Sequence, residues 1–159
     1  MRKHTRRPGR HLRQEVTPRF AAIVDGDNLT HGGQLELPQV RSVLSSVAVL
    51  LEDCPVAFAM QSRQAARYLS AYADLRWLRR FASMAPDAAD EVLLEDAQFF
   101  LERGVTDLWV ASGDHAFAEL AEGVRLHVVC HRSSLSKRLR LAATTVTYLD
   151  GIEDFPAVA

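Results

Sequence analysis

Three short stretches of this chain hold acids that could act together. Phe20-Ala21-Ala22-Ile23-Val24 ends in Asp25-Gly26-Asp27-Asn28, and Leu108-Trp109-Val110-Ala111 ends in Ser112-Gly113-Asp114. Between them, Asp90 stands at the head of a strongly periodic segment. Carboxylates gathered in one place repel one another, and a divalent cation relieves that repulsion. Oxygen donors without paired His or Cys favour magnesium or manganese over zinc. An ion held in this way serves phosphoryl transfer, where water is activated and charge on phosphate oxygens is offset.

The acids act together only if the fold gathers them. Apolar runs at 20–24, 54–60, 75–81, 107–111, 124–130 and 145–149 read as strands. Helical spacing predicts helices at 39–52, about 63–74, 88–103, about 115–122 and 134–143. In 39–52, Val40, Val43, Leu44, Val47, Leu50 and Leu51 form the apolar stripe, and Pro38 suits the helix start. The segment 26–37, with Gly32 and Gly33, reads as a mobile turn.

Strands separated by single helices imply right-handed crossovers, a mostly parallel sheet and helices on both faces. The expected fold is therefore an α/β three-layer sandwich with a mostly parallel central sheet. Parallel strands end on one edge, which is where open α/β sheets bind ligands. That edge should carry Asp25, Asp27 and Asn28; Gln61 and Arg63; Asp90; Ser112, Asp114 and His115; and His131 with Arg132. Arg63 and Arg132 are candidates for holding flanking phosphates. Asp96 lies six residues beyond Asp90, about 9 Å along a helix and about 120° round it, so it supports the cluster or simply faces solvent.

Each feature also has a plainer explanation. Asp-Gly-Asp-Asn makes a good turn, Ser-Gly-Asp a helix cap, and Asp90 a partner for a helix dipole. Asn28 can orient Asp25 or close the turn. His31, His115 and His131 read as structural or surface groups. Arg76, Arg79 and Arg80 beside Trp77 suit a basic edge strand better than a nucleic-acid track.

The 159 residues suit one domain at 19–159 behind a basic arm at 1–18. Residues 1–19 hold seven Arg/Lys against Glu15, leaving twelve basic and nineteen acidic residues elsewhere. The arm is expected to be disordered or loosely docked, and to attract phosphates without sequence preference. Hydrophobic content of 48% and charged content of 25% fit an ordinary globular protein. Cys54 and Cys130 read as buried thiols rather than a disulfide, which points to the cytoplasm. No run is long enough for a membrane span and no apolar signal-peptide core is visible, so no membrane partner is expected.

Ile23-Val24-Asp25-Gly26-Asp27-Asn28, Ala89-Asp90-Glu91-Val92-Leu93-Leu94-Glu95-Asp96-Ala97 and Val110-Ala111-Ser112-Gly113-Asp114-His115-Ala116-Phe117 resemble the three motifs of the NYN domain family, a branch of the PIN-like nucleases. The resemblance spans roughly residues 20–149. It implies a PIN-like, Rossmann-like sheet of order 3-2-1-4-5 with its switch point between strands one and four. It also implies metal-dependent hydrolysis of RNA, for which Mg2+ or Mn2+ is the expected ion. Single-stranded RNA is the expected partner, and a homodimer is a separate expectation. Carried over, Asp25 and Asp114 are the principal metal ligands, Asp90 the third and Asn28 a supporting group. Asp27 and Asp96 are further contributors, and Ser112 joins Arg63 and Arg132 on the substrate side. Two positions depart from the pattern. Ala116 stands where the family often has a second acid, leaving a second ion one anionic ligand fewer. Asp87-Ala88 stand where a Lys-Gly pair is usual.

Two other functions fit parts of the sequence. One is a catalytically weak RNA-binding or regulatory module, which Ala116 favours. The other is a haloacid-dehalogenase-like phosphatase, which also opens on strand-Asp-x-Asp. Leu29 sits where that pattern wants Thr or Val, and it wants a lysine ahead of its last acids; the lysines here are Lys3 and Lys137.

Overall fold

The computed structural model describes residues 19–150. The arm expected at 1–18 and the last nine residues of the expected domain lie outside the described residues. Six strands form one all-parallel sheet: β1 (Phe20–Asp25), β2 (Val56–Gln61), β3 (Leu78–Ala82), β4 (Asp107–Ala111), β5 (Arg125–Cys130) and β6 (Thr145–Tyr148). Their spatial order is 3-2-1-4-5-6. The expected five-strand order is present, and the terminal strand extends it beyond β5.

Side chains alternate across each strand, so each strand feeds two cores. On one face Ala21, Ile23, Ala57, Ala59, Leu108, Val110, Leu126 and Val128 pack under α5 (Ala88–Glu102), a 310 helix (His115–Glu122) and α6 (Lys137–Ala142). On the other, Ala22, Val24, Phe58 and Met60 pack under α2 (Leu37–Leu50), α3 (Ser62–Arg67) and α4 (Leu69–Tyr72). Two helical layers around one sheet make a three-layer α/β sandwich. The central strands are nearly continuous apolar runs because both their faces are covered.

Local departures from the expected elements have local causes. The helix expected at about 63–74 is split at Tyr68, which closes α3 through its N–H to the Gln64 carbonyl. The third strand starts later than expected because the Leu75 N–H still bonds back to Tyr72. The 26–37 segment is built rather than loose. A first turn α1 (Gly26–Leu29) is followed by hydrogen bonds from Gly33, Gln34 and Leu35 to the Thr30 carbonyl. Cys54 and Cys130 are free thiols, Cys130 fully buried and Cys54 partly so. Among the described residues, no helix is long and apolar enough to cross a membrane.

Candidate acidic site at the switch point

Crossovers from β1 leave toward one side and the chain returns to β4 from the other, so a crevice opens between these two strand ends. Asp25 is the last residue of β1, and Gly26 lets the chain turn at once. A Cβ on Gly26 would lie 2.6 Å from Met60 Cε and 2.8 Å from a Phe58 ring carbon. The turn places Asp27 and Asn28 over the same opening. Asp114 follows β4, and Asp90 enters from the first turn of α5. Asp25, Asp27, Asn28, Asp90 and Asp114 line one cleft of about 170 Å3, together with Gln61, Asp87, Ala88 and Ala89.

Hydrogen bonds fix the back of this cleft. Asp25, only 3% exposed, accepts the Asn28 N–H on Oδ1 at 3.0 Å and the Ser112 hydroxyl on Oδ2 at 2.8 Å. The Asn28 side-chain oxygen accepts the Gly113 N–H at 3.0 Å, which ties the end of β1 to the end of β4. Asp27 accepts the Gln61 N–H with both oxygens, at 3.2 and 3.1 Å. Asp114 caps the 310 helix by accepting the Ala116 N–H at 2.7 Å, and His115 Nδ1 lies 3.1 Å from the same oxygen.

The electrostatics follow from burial and crowding. Burial pushes the Asp25 carboxyl up to about 7, opposed by the Asn28 N–H and Ser112 hydroxyl and reinforced by Asp90 and Asp27. Partial burial raises Asp90 to about 6, with repulsion from Asp114, Asp87 and Asp27 adding to it. Asp27 is raised by burial as well, against the Gln61 N–H. A cation in the cleft would offset all three.

The donor set is all oxygen, which suits a hard ion such as magnesium or manganese. As the side chains stand, no group of three or more His, Cys, Asp or Glu among the described residues is arranged to hold a metal ion. The fit is therefore one of chemistry and charge. Asp25 is already fixed by two hydrogen bonds, so closing a coordination shell calls for rotation of the partly exposed Asp90 and Asp114.

Other expected site residues fall elsewhere. Asp96 makes an ion pair with Arg80 of β3 at 3.0 Å and does not line the cleft. The six-residue spacing from Asp90 turned it away, as helix geometry requires. Ser112 is fully buried, so it cannot touch a substrate and instead holds Asp25. Arg63 is exposed at the start of α3, two residues past Gln61, and is not part of the lining. Arg132 is bound to Asp150 by its N–H at 3.0 Å, with its guanidinium 3.8 Å over the Tyr148 ring. Ala116 sits inside the 310 helix and off the cleft wall. His131 is buried 3.0 Å from the Leu29 carbonyl, 4.4 Å from the His31 ring, and neither lines the cleft.

Asp87 was not expected to face the acids. Its left-handed backbone, at φ 60°, turns the chain from the 83–87 loop into α5. The one sequence signal for it was an Asp after Pro86 at a helix start.

Comparison with other proteins adds to the fold and not to the chemistry. A crystal structure of a protein of unknown function from Vibrio parahaemolyticus RIMD 2210633 is similar to this chain, with a TM-score of 0.64 and 15% identity. The match covers 84% of this chain and 93% of that one. No family model matches the chain, and no curated protein does.

Proposed function

We propose that this protein is a metal-dependent ribonuclease of the NYN, PIN-like type. The observation that supports this most is the gathering of Asp25, Asp27, Asp90 and Asp114 around one cleft at the switch point. Burial, with repulsion among the acids, raises Asp25 to about 7 and Asp90 to about 6, a cost that a bound cation would offset. Asp25, Asp90 and Asp114 would hold Mg2+ or Mn2+, with Asp27 at the margin. When bound, such an ion lowers the pKa of water and offsets charge on phosphate oxygens. Ser112 and Asn28 keep Asp25 and the β4 turn in place. The scissile phosphate would enter the acidic wall only where that wall is neutralised, which makes cleavage metal-dependent.

The test is cleavage of single-stranded RNA in Mg2+ or Mn2+, against EDTA and beside Asp114→Asn. Metal-dependent fragments from the wild type and none from the variant are the expected result. A second reading is an RNA-binding module that cleaves weakly. One observation favours it: as the side chains stand, no three-ligand group among the described residues is ready to hold a metal ion. RNA binding without metal-dependent fragments would select that reading.

A further inference from the structure

Next to the acidic cleft lies a run of cations in which, among the described residues, Arg132 alone pairs with an acid, Asp150. From Arg132 to Arg140 the chain reads Arg-Ser-Ser-Leu-Ser-Lys-Arg-Leu-Arg, and no Asp or Glu occurs between Glu122 and Asp150. This segment is the crossover from β5 to β6, and it leans on the turn that carries Asp114. The Ser136 N–H donates to the Gly113 carbonyl at 2.9 Å. A Cβ on Gly113 would stand 2.3 Å from the Ser134 carbonyl oxygen, so the two loops touch backbone to backbone. Ser136 then caps α6 by accepting the Leu139 N–H. The helix therefore starts against the residue preceding Asp114.

Leu139 points into the core, and steps of 100° per residue spread Lys137, Arg138 and Arg140 over the outer surface. All three are exposed, and none makes an ion pair among the described residues. The basic residues of β3 differ. Arg80 is paired with Glu95 and Asp96, and Arg79 donates to the carbonyls of Ala73 and Leu75. Unpaired cations beside an acidic cleft match a strand of phosphates, one of which enters the cleft while its neighbours meet the cations.

We propose that Lys137, Arg138 and Arg140 form a binding site for the phosphate backbone of single-stranded RNA on the Asp114 side of the cleft. The proposal rests on the nuclease reading for the identity of the strand. Such contacts fix position and carry no sequence information. Lys137 serves as a point charge, and the two arginines can each grip a phosphate with paired N–H groups.

The probe is a fluorescent oligouridylate of about twelve nucleotides, within the span of known single-strand sites, bound by the full chain in EDTA across a salt series. In Lys137→Ala/Arg138→Ala/Arg140→Ala, affinity should fall at least about tenfold at low salt. The slope of log affinity against log salt should shrink by about 2, at roughly 0.7 per lost contact. Arg41→Ala, which removes an exposed cation on α2, should bind as the wild type does. Lys137→Glu/Arg138→Glu should bind more weakly still while melting within a few degrees of the wild type. An unchanged slope in the triple variant, an equal loss in Arg41→Ala, or no salt-dependent binding by the wild type would overturn the site. Cleavage is measured separately in Mn2+. RNA that is cut, yet bound with an unaltered slope by the triple variant, removes this site and leaves the nuclease reading. RNA that is held through these three residues but not cut does the reverse.

Discussion

The Ser112 hydroxyl donates to Asp25 at 2.8 Å while its oxygen accepts the Asp114 N–H at 3.1 Å, so one fully buried side chain joins two acids of the cleft. The bond to Asp25 favours the ionised carboxylate. Ser112→Ala should raise the Asp25 pKa further and weaken the hold on a divalent ion. Partners of this kind typically contribute about 10- to 100-fold in metal affinity. Calorimetric titration with Mn2+ should show a loss in that range with the fold intact. Wild-type affinity in Ser112→Ala would remove Asp25 from the metal site.

The raised carboxyls make the metal-free protein sensitive to pH in a definite direction. Asp25 and Asp90 hold protons up to about 7 and about 6 in the folded chain, against about 3.9 in an unfolded one. Folded protein thus binds more protons than unfolded protein between these values, and stability falls as pH rises through that window. Above it, the ionised Asp25 opposes folding, and Asn in its place would not. In EDTA at pH near 8, Asp25→Asn should melt higher than the wild type, and the gap should close towards pH 4. Saturating Mg2+ or Mn2+ should stabilise the wild type and leave the variant almost unmoved. A variant that melts below the wild type in EDTA at the higher pH would show that burial does not strain this carboxylate.

Gly113 tests the contact between the two loops. Any side chain there meets the Ser134 carbonyl oxygen at 2.3 Å, and backbone cannot step aside as a flexible side chain can. Gly113→Ala should displace the 132–136 loop, break the bond from the Ser136 N–H and shift Asp114. Overpacking of this kind costs about 1–3 kcal/mol. Denaturant unfolding should show the cost, and the rate of RNA cleavage should fall by more than the folded fraction does. A stable variant with full activity would mean that the loops are not coupled.

Much of this arrangement could be read from residue types, for a physical reason. Apolar runs that stop at Asp25 and before Asp114 define buried parallel strands, and parallel strands bring their ends to one edge by topology alone. Asp90 was placed by helix periodicity in the same way. Direction within the edge was less legible. Asp96 and Ser112 each lie close in sequence to a cleft acid, yet one faces Arg80 and the other is sealed behind Asp25. Asp87 depends on a left-handed backbone, and Arg132 on a partner eighteen residues away. These are tertiary choices that no local pattern encodes. The sixth strand was visible as an apolar run, but its place beyond β5 follows from the crossover through α6.

The opposite edge of the sheet holds the converse electrostatic case. Asp107 opens β4 almost fully buried and accepts two hydrogen bonds from the Arg125 guanidinium, at 2.8 and 2.7 Å. His127 Nε2 lies 2.9 Å from the same carboxylate, and the Thr106 hydroxyl donates to it at 2.7 Å. The Arg125 bonds, more than any other contact, hold this carboxyl far below the usual carboxylate range. A depressed acid stabilises the fold above its unfolded pKa and loses that contribution as pH falls below about 4. Asp107→Asn should therefore destabilise the protein at neutral pH, by about 1–3 kcal/mol for lost hydrogen bonds to a charged group. Arg125 is largely solvated and survives the loss of its partner without an added burial penalty. Because Asp107 lies at the amino end of β4, away from the cleft, the variant should keep its metal affinity and its turnover per folded molecule. Urea unfolding at pH 7 and again near pH 3 decides the matter: the difference between variant and wild type should narrow in acid. A difference that stays constant would mean that the Asp107 charge is not what braces β4 against β5.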